Sequence, residues 1–159
     1  MKEKLTVEKA KEFTKKLLME SGSKDGEFWY NHMKAVSETC LVLAAREENV
    51  DLESLEIAGW VHDLGYLVSE ESHAKYSLET VEKEFEINEI IRDCIINHGN
   101  SGDPKTKEGK IIKFADKLAF LNKDFLGAIL KANPGKIDKE YIDYTEMALK
   151  RIPKILGEL

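Results

Sequence analysis

Apolar residues recur along this chain at steps of three and four, the spacing that lines one face of an α-helix. Val7, Ala10, Phe13, Leu17 and Leu18 follow Thr6, a residue able to cap a helix start, and Ser21-Gly22-Ser23 closes the run. A second helix is predicted from about Gly26 to Asn49, with Phe28, His32, Ala35, Val36, Thr39 and Leu43 on one face, so that His32 points inward. A third begins near Asp51 or Glu53 and carries Leu55, Ile57, Ala58, Val61 and His62, with Gly65 placed as the residue that ends it. Ser72 is positioned to cap a fourth, which puts His73 in its first turn. A fifth runs from about Asn88 through Ile91, Cys94 and Ile95 to His98, with Gly99 as its stop. Residues 99–107 are the most loop-like stretch and are expected to border the site. A sixth helix from near Glu108 to Leu121 is apolar nearly all round, and is therefore expected to be central. Further helices are predicted over 124–131 and 138–156.

No alternating run predicts a strand, and no repeat, linker or low-complexity tract divides the chain. The expected fold is all-α, a compact single-domain bundle of about six to eight helices over residues 1–159. Composition changes this picture only at its edges. Acidic residues outnumber basic ones, 30 to 24, which removes the net positive field that sequence-independent nucleic-acid binding uses, and no polymeric nucleic acid is expected. No apolar stretch approaches the roughly 20 residues that span a bilayer, and Met1 to Lys16 is too charged for a signal peptide, so no membrane is expected. Cys40 and Cys94 lie far apart without a CxxC pair, and read as reduced core residues of a cytoplasmic protein.

Some residues fit packing poorly. His32 lies on an inward face, His62 and Asp63 stand together at a helix end, and Asp116 lies inside the sixth helix. Together they offer imidazole nitrogen and carboxylate oxygen, a set suited to one or two divalent first-row metal ions such as Fe, Mn, Ni, Co or Zn. Each also has a plain structural reading. His32 fits a hydrogen-bonded core histidine, His73 an exposed one, and His98 a cation at the C-terminal end of a helix dipole. A salt bridge would suffice for Asp116, although an unpaired carboxylate buried there costs on the order of several kcal/mol.

Their order, His32, then His62-Asp63, then His73 and His98, then Asp116, resembles that of the HD-domain superfamily of metal-dependent phosphohydrolases. The resemblance runs from about Asn31 to Leu121 and is strongest in Leu-Glu-Ile-Ala-Gly-Trp-Val-His-Asp-Leu-Gly (55–65), Ser-His-Ala-Lys-Tyr-Ser-Leu-Glu (72–79), Ile-Asn-His-Gly (96–99) and Phe-Ala-Asp-Lys-Leu (114–118). It implies a metal-binding core over about 28–121 with packing helices at both ends. It also implies a basic metal site of His32, His62, Asp63 and Asp116, to which two-metal members add histidines matching His73 and His98, with Asp63 as the bridge. Two positions depart from familiar subgroups: Tyr66 stands where several members have a phosphate-contacting lysine, and no glutamate follows Asp63 at the spacing of the small nucleotidases.

The activity implied is hydrolysis of a small phosphate ester or nucleotide by metal-activated hydroxide, with His62 and Asp63 at the catalytic centre. Lys117, Lys113, Asn97 and Arg92, with Lys105 and Lys107 in the adjacent loop, are candidates for positioning the anion. Two other readings share the ligand set: a di-iron oxygenase resembling myo-inositol oxygenase, and a metal- or nucleotide-binding sensor without turnover. No HExxH, Walker, Rossmann or GxSxG motif competes.

Overall fold

The structure is a computed structural model that describes residues 1–22, 24–122 and 124–125. Apart from Asp124 and Phe125, the helices expected over 124–131 and 138–156 lie outside the described residues. Among those described there are six α-helices: α1 (Val7–Met19), α2 (Gly26–Ala44), α3 (Leu52–Val61), α4 (His73–Glu84), α5 (Glu89–Asn97) and α6 (Lys107–Leu118). One-turn 3-10 helices follow α3 (Leu64–Leu67) and α6 (Ala119–Leu121). The fold is an all-α bundle, as expected.

Caps set most of the starts. Thr6, Asp51, Asn88 and Thr106 each accept a hydrogen bond from the backbone N–H three residues on. Ser72 occupies the cap position of α4 but makes no such bond. Helix α2 stops earlier than predicted, at Ala44, where the chain tightens into turns in which Arg46 N–H and Glu47 N–H donate to the carbonyls of Leu43 and Ala44, and Asn49 then takes a left-handed conformation (φ 56°) ahead of the Asp51 cap. A strand pair also exists where none was expected: β1 (Glu3–Lys4) runs parallel to β2 (Phe85–Glu86), and Leu5 N–H extends it by donating to Glu86 C=O at 3.1 Å. Two residues are too few to imprint an alternating pattern.

The central helix is α3 rather than α6. Seven of its residues, Ser54, Leu55, Ile57, Ala58, Gly59, Trp60 and Val61, are buried, whereas α6 turns Lys107 and Lys110 outward and packs one face on α2 and α5. Helix α3 separates two apolar clusters. Leu55 and Ala58 pack with Val36, Cys40, Cys94 and Ile112, while Ile57, Trp60 and Val61 pack with Met33, Leu64, Val81 and Ile95. Both cysteines are free, and burial pushes their thiols up. At Gly59 the crossing with α2 is so close that a Cβ would lie 2.6 Å from Ser37 Cα.

Gly65 has a different task from the one expected. Its φ is not left-handed, so it does not end α3 as a C-terminal cap. It allows the 3-10 turn to press against the start of α4, where a Cβ would lie 1.9 Å from the His73 carbonyl oxygen, and its N–H donates to Ser77 Oγ at 2.8 Å. Gly65→Ala is therefore expected to lower stability by about 1–3 kcal/mol through overpacking, measured by urea unfolding. Gly99→Ala, where a Cβ meets nothing within 4 Å, is expected to change it by about 0.5 kcal/mol or less.

Candidate metal centre

The C-terminal end of α3 delivers His62 and Asp63 into the space between α2, α4, α5 and α6. His32 arrives from α2, His73 from the first turn of α4, His98 from the C-cap of α5 and Asp116 from α6. All six residues named from the sequence meet here. The ligand atoms of His32, His62, Asp63 and Asp116 lie within 4.8 Å of one another, and so do those of Asp63, His73 and His98.

Asp63 belongs to both sets. Its Oδ2 lies 2.9 Å from His32 Nε2 and 3.2 Å from His62 Nε2, while its Oδ1 lies 3.0 Å from His98 Nε2 and 3.5 Å from His73 Nε2. On the first side, Asp116 Oδ1 is 3.2 Å from His32 Nε2 and 3.5 Å from His62 Nε2.

Three of the imidazoles are oriented by the same local contact. The Nδ1–H groups of His62, His73 and His98 donate to the carbonyls of Gly59, Glu70 and Ile95, each three residues earlier, at 3.0, 2.8 and 2.7 Å. A carbonyl only accepts, so in the neutral ring Nε2 is left with its lone pair facing the centre. His73 Nε2 and His98 Nε2 then face one another at 3.2 Å, a meeting of lone pairs that requires a cation or a proton between them. His62 Nε2 and Asp63 Oδ1 are buried without a hydrogen-bond partner. Nitrogen and oxygen donors aimed inward and left unsatisfied in this way fit a divalent metal.

The electrostatics agree. Burial alone would lower the pKa of His62, but the nearby carboxylates of Asp63 and Asp116 outweigh it and raise it to about 10. His32 is also raised, with Asp116 and Asp63 overcoming its burial. For the two acids the balance is reversed. Burial opposes ionisation, yet the histidines hold both carboxyls well below the usual carboxylate range. The cluster thus gathers buried negative charge that calls for positive charge from a proton or a metal.

The centre opens into a cavity of about 270 Å³. Phe28, Trp29, Phe120 and Phe125 supply an apolar wall, and Lys117, Asn100 and Tyr66 supply polar groups. Of the candidate anion-positioning residues only Lys117 lines this cavity, and its Nζ donates to the Lys113 carbonyl at 3.2 Å. Lys113 donates to the Gly102 carbonyl at 2.7 Å, and Asn97 donates to Asp93 at 2.8 Å. Arg92 pairs with Glu82 and Glu89 at a separate recess, Lys105 pairs with Asp103, and Lys107 donates to the Glu48 carbonyl at 2.6 Å. Long cations on a helical surface take the nearest acceptor, which their position in the sequence does not reveal.

Similarity to known proteins follows the same residues. The family model of the HD domain matches residues 29–121. The chain belongs to the HD-domain family. That family is one of metal-dependent phosphohydrolases, and its region here contains all six residues of the cluster. One curated relative of this HD domain is a deoxyguanosinetriphosphate triphosphohydrolase-like protein of Caldanaerobacter subterraneus subsp. tengcongensis, 33% identical over 63 residues. The match covers 36% of this chain and 19% of the relative, so the chain spans only a small part of that protein's length. No solved structure matches the chain. No described helix is long and apolar enough to cross a membrane.

Two buried acids beyond the cluster escaped the sequence reading. Glu108 accepts from Asp51 N–H at 2.6 Å, which joins the starts of α6 and α3. Asp93 binds the loop beside the cavity, accepting from Thr106 N–H at 2.8 Å, Thr106 Oγ1 at 2.6 Å and Lys105 N–H at 3.0 Å. Burial raises its pKa, but these bonds and that from Asn97 prevail and lower it. A Thr-x-x-Gly helix start thirteen residues beyond an acid carries no recognisable signal. The Asp93 contribution is complete above the unfolded value of about 4 and is lost as pH falls toward its lower folded value. Asp93→Ala is expected to lower stability by about 1–3 kcal/mol near neutral pH, with the gap from wild type narrowing in acid, as measured by urea unfolding across pH.

Proposed function

We propose that this HD domain hydrolyses a small phosphate ester or nucleotide, with divalent metal held by the six-residue cluster. The observation that supports this most is the shared Asp63 carboxylate, whose Oδ2 faces His32 and His62 while its Oδ1 faces His98 and His73. We read His32, His62, Asp63 and Asp116 as ligands of one metal, and Asp63, His73 and His98 as ligands of a second. Fe, Mn, Ni, Co and Zn all suit these donors. Metal bound there supplies Lewis acidity, lowering the pKa of a water toward neutrality and offsetting charge on phosphoryl oxygens.

The chain's own groups supply the rest of the reading. Asp63 and Asp116 neutralise the cation's charge, and the committed Nδ1 atoms keep the histidine lone pairs inward. Lys117 offers the cavity a positive group for the phosphate, and the aromatic wall takes up the apolar part of the substrate and excludes water. Residues 28–121 serve as the metal-binding core of a single domain spanning 1–159. The printed name of the curated relative, a triphosphohydrolase-like protein, is consistent with a phosphorylated substrate.

Metal analysis of the purified protein, followed by phosphate release from a panel of nucleotides and simple phosphate esters, tests the reading. His62→Ala and Asp63→Ala are each expected to lose metal and to reduce turnover by roughly 100-fold or more, beyond the loss typical of an outer contact. Full metal retention by either variant would remove the centre of the proposal. His73→Ala or His98→Ala is expected to lose one metal of two, and no change in either would reduce the site to a mononuclear one. Oxygen-dependent turnover with a mixed-valent iron signal would replace hydrolysis by oxygenase chemistry.

A further inference from the structure

Tyr66 lies between two other rings. It stacks on Trp29 with centroids 4.2 Å apart and planes 18° from parallel, and on His73 with centroids 4.2 Å apart and planes at 14°. Trp29 in turn meets His32 edge-on, at 5.7 Å and 89°. Histidines from both halves of the cluster therefore rest on one aromatic stack, and Tyr66 is the member in contact with His73.

His73 has the greatest need of such a neighbour. The side chains of His62 and His98 are 0% and 1% exposed and are immobilised by the core, whereas that of His73 is 20% exposed. Its bond to the Glu70 carbonyl fixes one ring atom, but a single hydrogen bond leaves the plane of the imidazole free to tilt. A parallel ring at stacking distance removes that freedom. Gly65 brings the stack into place, since only a residue without a Cβ allows the turn before Tyr66 to lie against the His73 backbone.

We propose that Tyr66 is a positioning residue for the second metal, its ring fixing the plane of His73 so that Nε2 stays aimed at the point it shares with His98 and Asp63. This inference rests on the two-metal reading above and deepens it. The tyrosine that stands in place of a lysine acts through a ligand rather than by offering charge.

Cobalt(II) titration of the metal-stripped protein, with sites counted by calorimetry and by the cobalt absorption bands, tests this without an assay of turnover. Wild type is expected to take up two equivalents. Tyr66→Ala is expected to keep the first site unchanged and to bind the second roughly 10–100-fold more weakly, the usual cost of losing an outer-shell support. Tyr66→Phe, which preserves both ring faces, is expected to retain both sites. Tyr66→Leu fills the space without a planar face, is expected to behave as Tyr66→Ala, and carries the test if the alanine variant does not fold. Unchanged affinity at both sites in Tyr66→Leu overturns the proposal. So does equal weakening of both sites, or loss of the second site in Tyr66→Phe. A wild-type protein that binds one cobalt overturns the two-metal reading itself, before any variant is compared.

Discussion

Two carboxylates, Asp63 and Asp116, are drawn into a space already occupied by imidazoles, and the negative charge they bring must be met from within. Isolated acids in such a setting would take up protons and become neutral. Here the surrounding histidines hold both ionised, and His32 and His62 are themselves raised by the acids. The arrangement of helices serves this mutual dependence, because the adjacent His62 and Asp63 at the end of α3 meet His32, His73, His98 and Asp116 from four other helices. Asp63 is the pivot, since each of its oxygens faces a different set of ring nitrogens.

The packing explains how one short helix can hold that pivot still. Helix α3 lies between two apolar clusters, and its residues are shared between them, so its end is braced from both sides. A helix set at the surface would carry His62 and Asp63 on one supported face and leave the other to solvent. Both cores therefore contribute to the precision of the site, although neither contains a ligand beyond the residues that border it.

Much of this was legible in the residues themselves. The 3.6-residue period and the caps at Thr6 and Asp51 mark helices, and the order of histidines and aspartates identifies the groups that converge. The arrangement of helices was harder to read. Helix α6 carries enough apolar residues to look central, but burial depends on neighbours, and the short α3 makes more use of its whole circumference. Gly65 looked like a helix stop because glycine often ends helices, while its actual role depends on the distant His73 carbonyl. The lysines and Arg92 were the least legible, as a flexible cation reveals its partner only once the chain is folded. Asp93 was silent for the same reason: beside the Thr106 hydroxyl and the Asn97 amide, its partners are the N–H groups of Lys105 and Thr106, which every residue except proline possesses.

The hydrogen bonds from three histidines to carbonyls three residues upstream carry an evolutionary consequence. The acceptors belong to Gly59, Glu70 and Ile95, residues with nothing in common chemically, because only their main chain takes part. Which ring nitrogen holds the proton is thus encoded in local chain geometry and not in any side-chain partner. These bonds place no demand on the upstream side chains, and where such a position is fixed, as Gly59 is by its close crossing with α2, the reason is packing and not the aiming of the ring. Half of the orienting framework of this centre is written in a part of the polypeptide that mutation cannot easily remove.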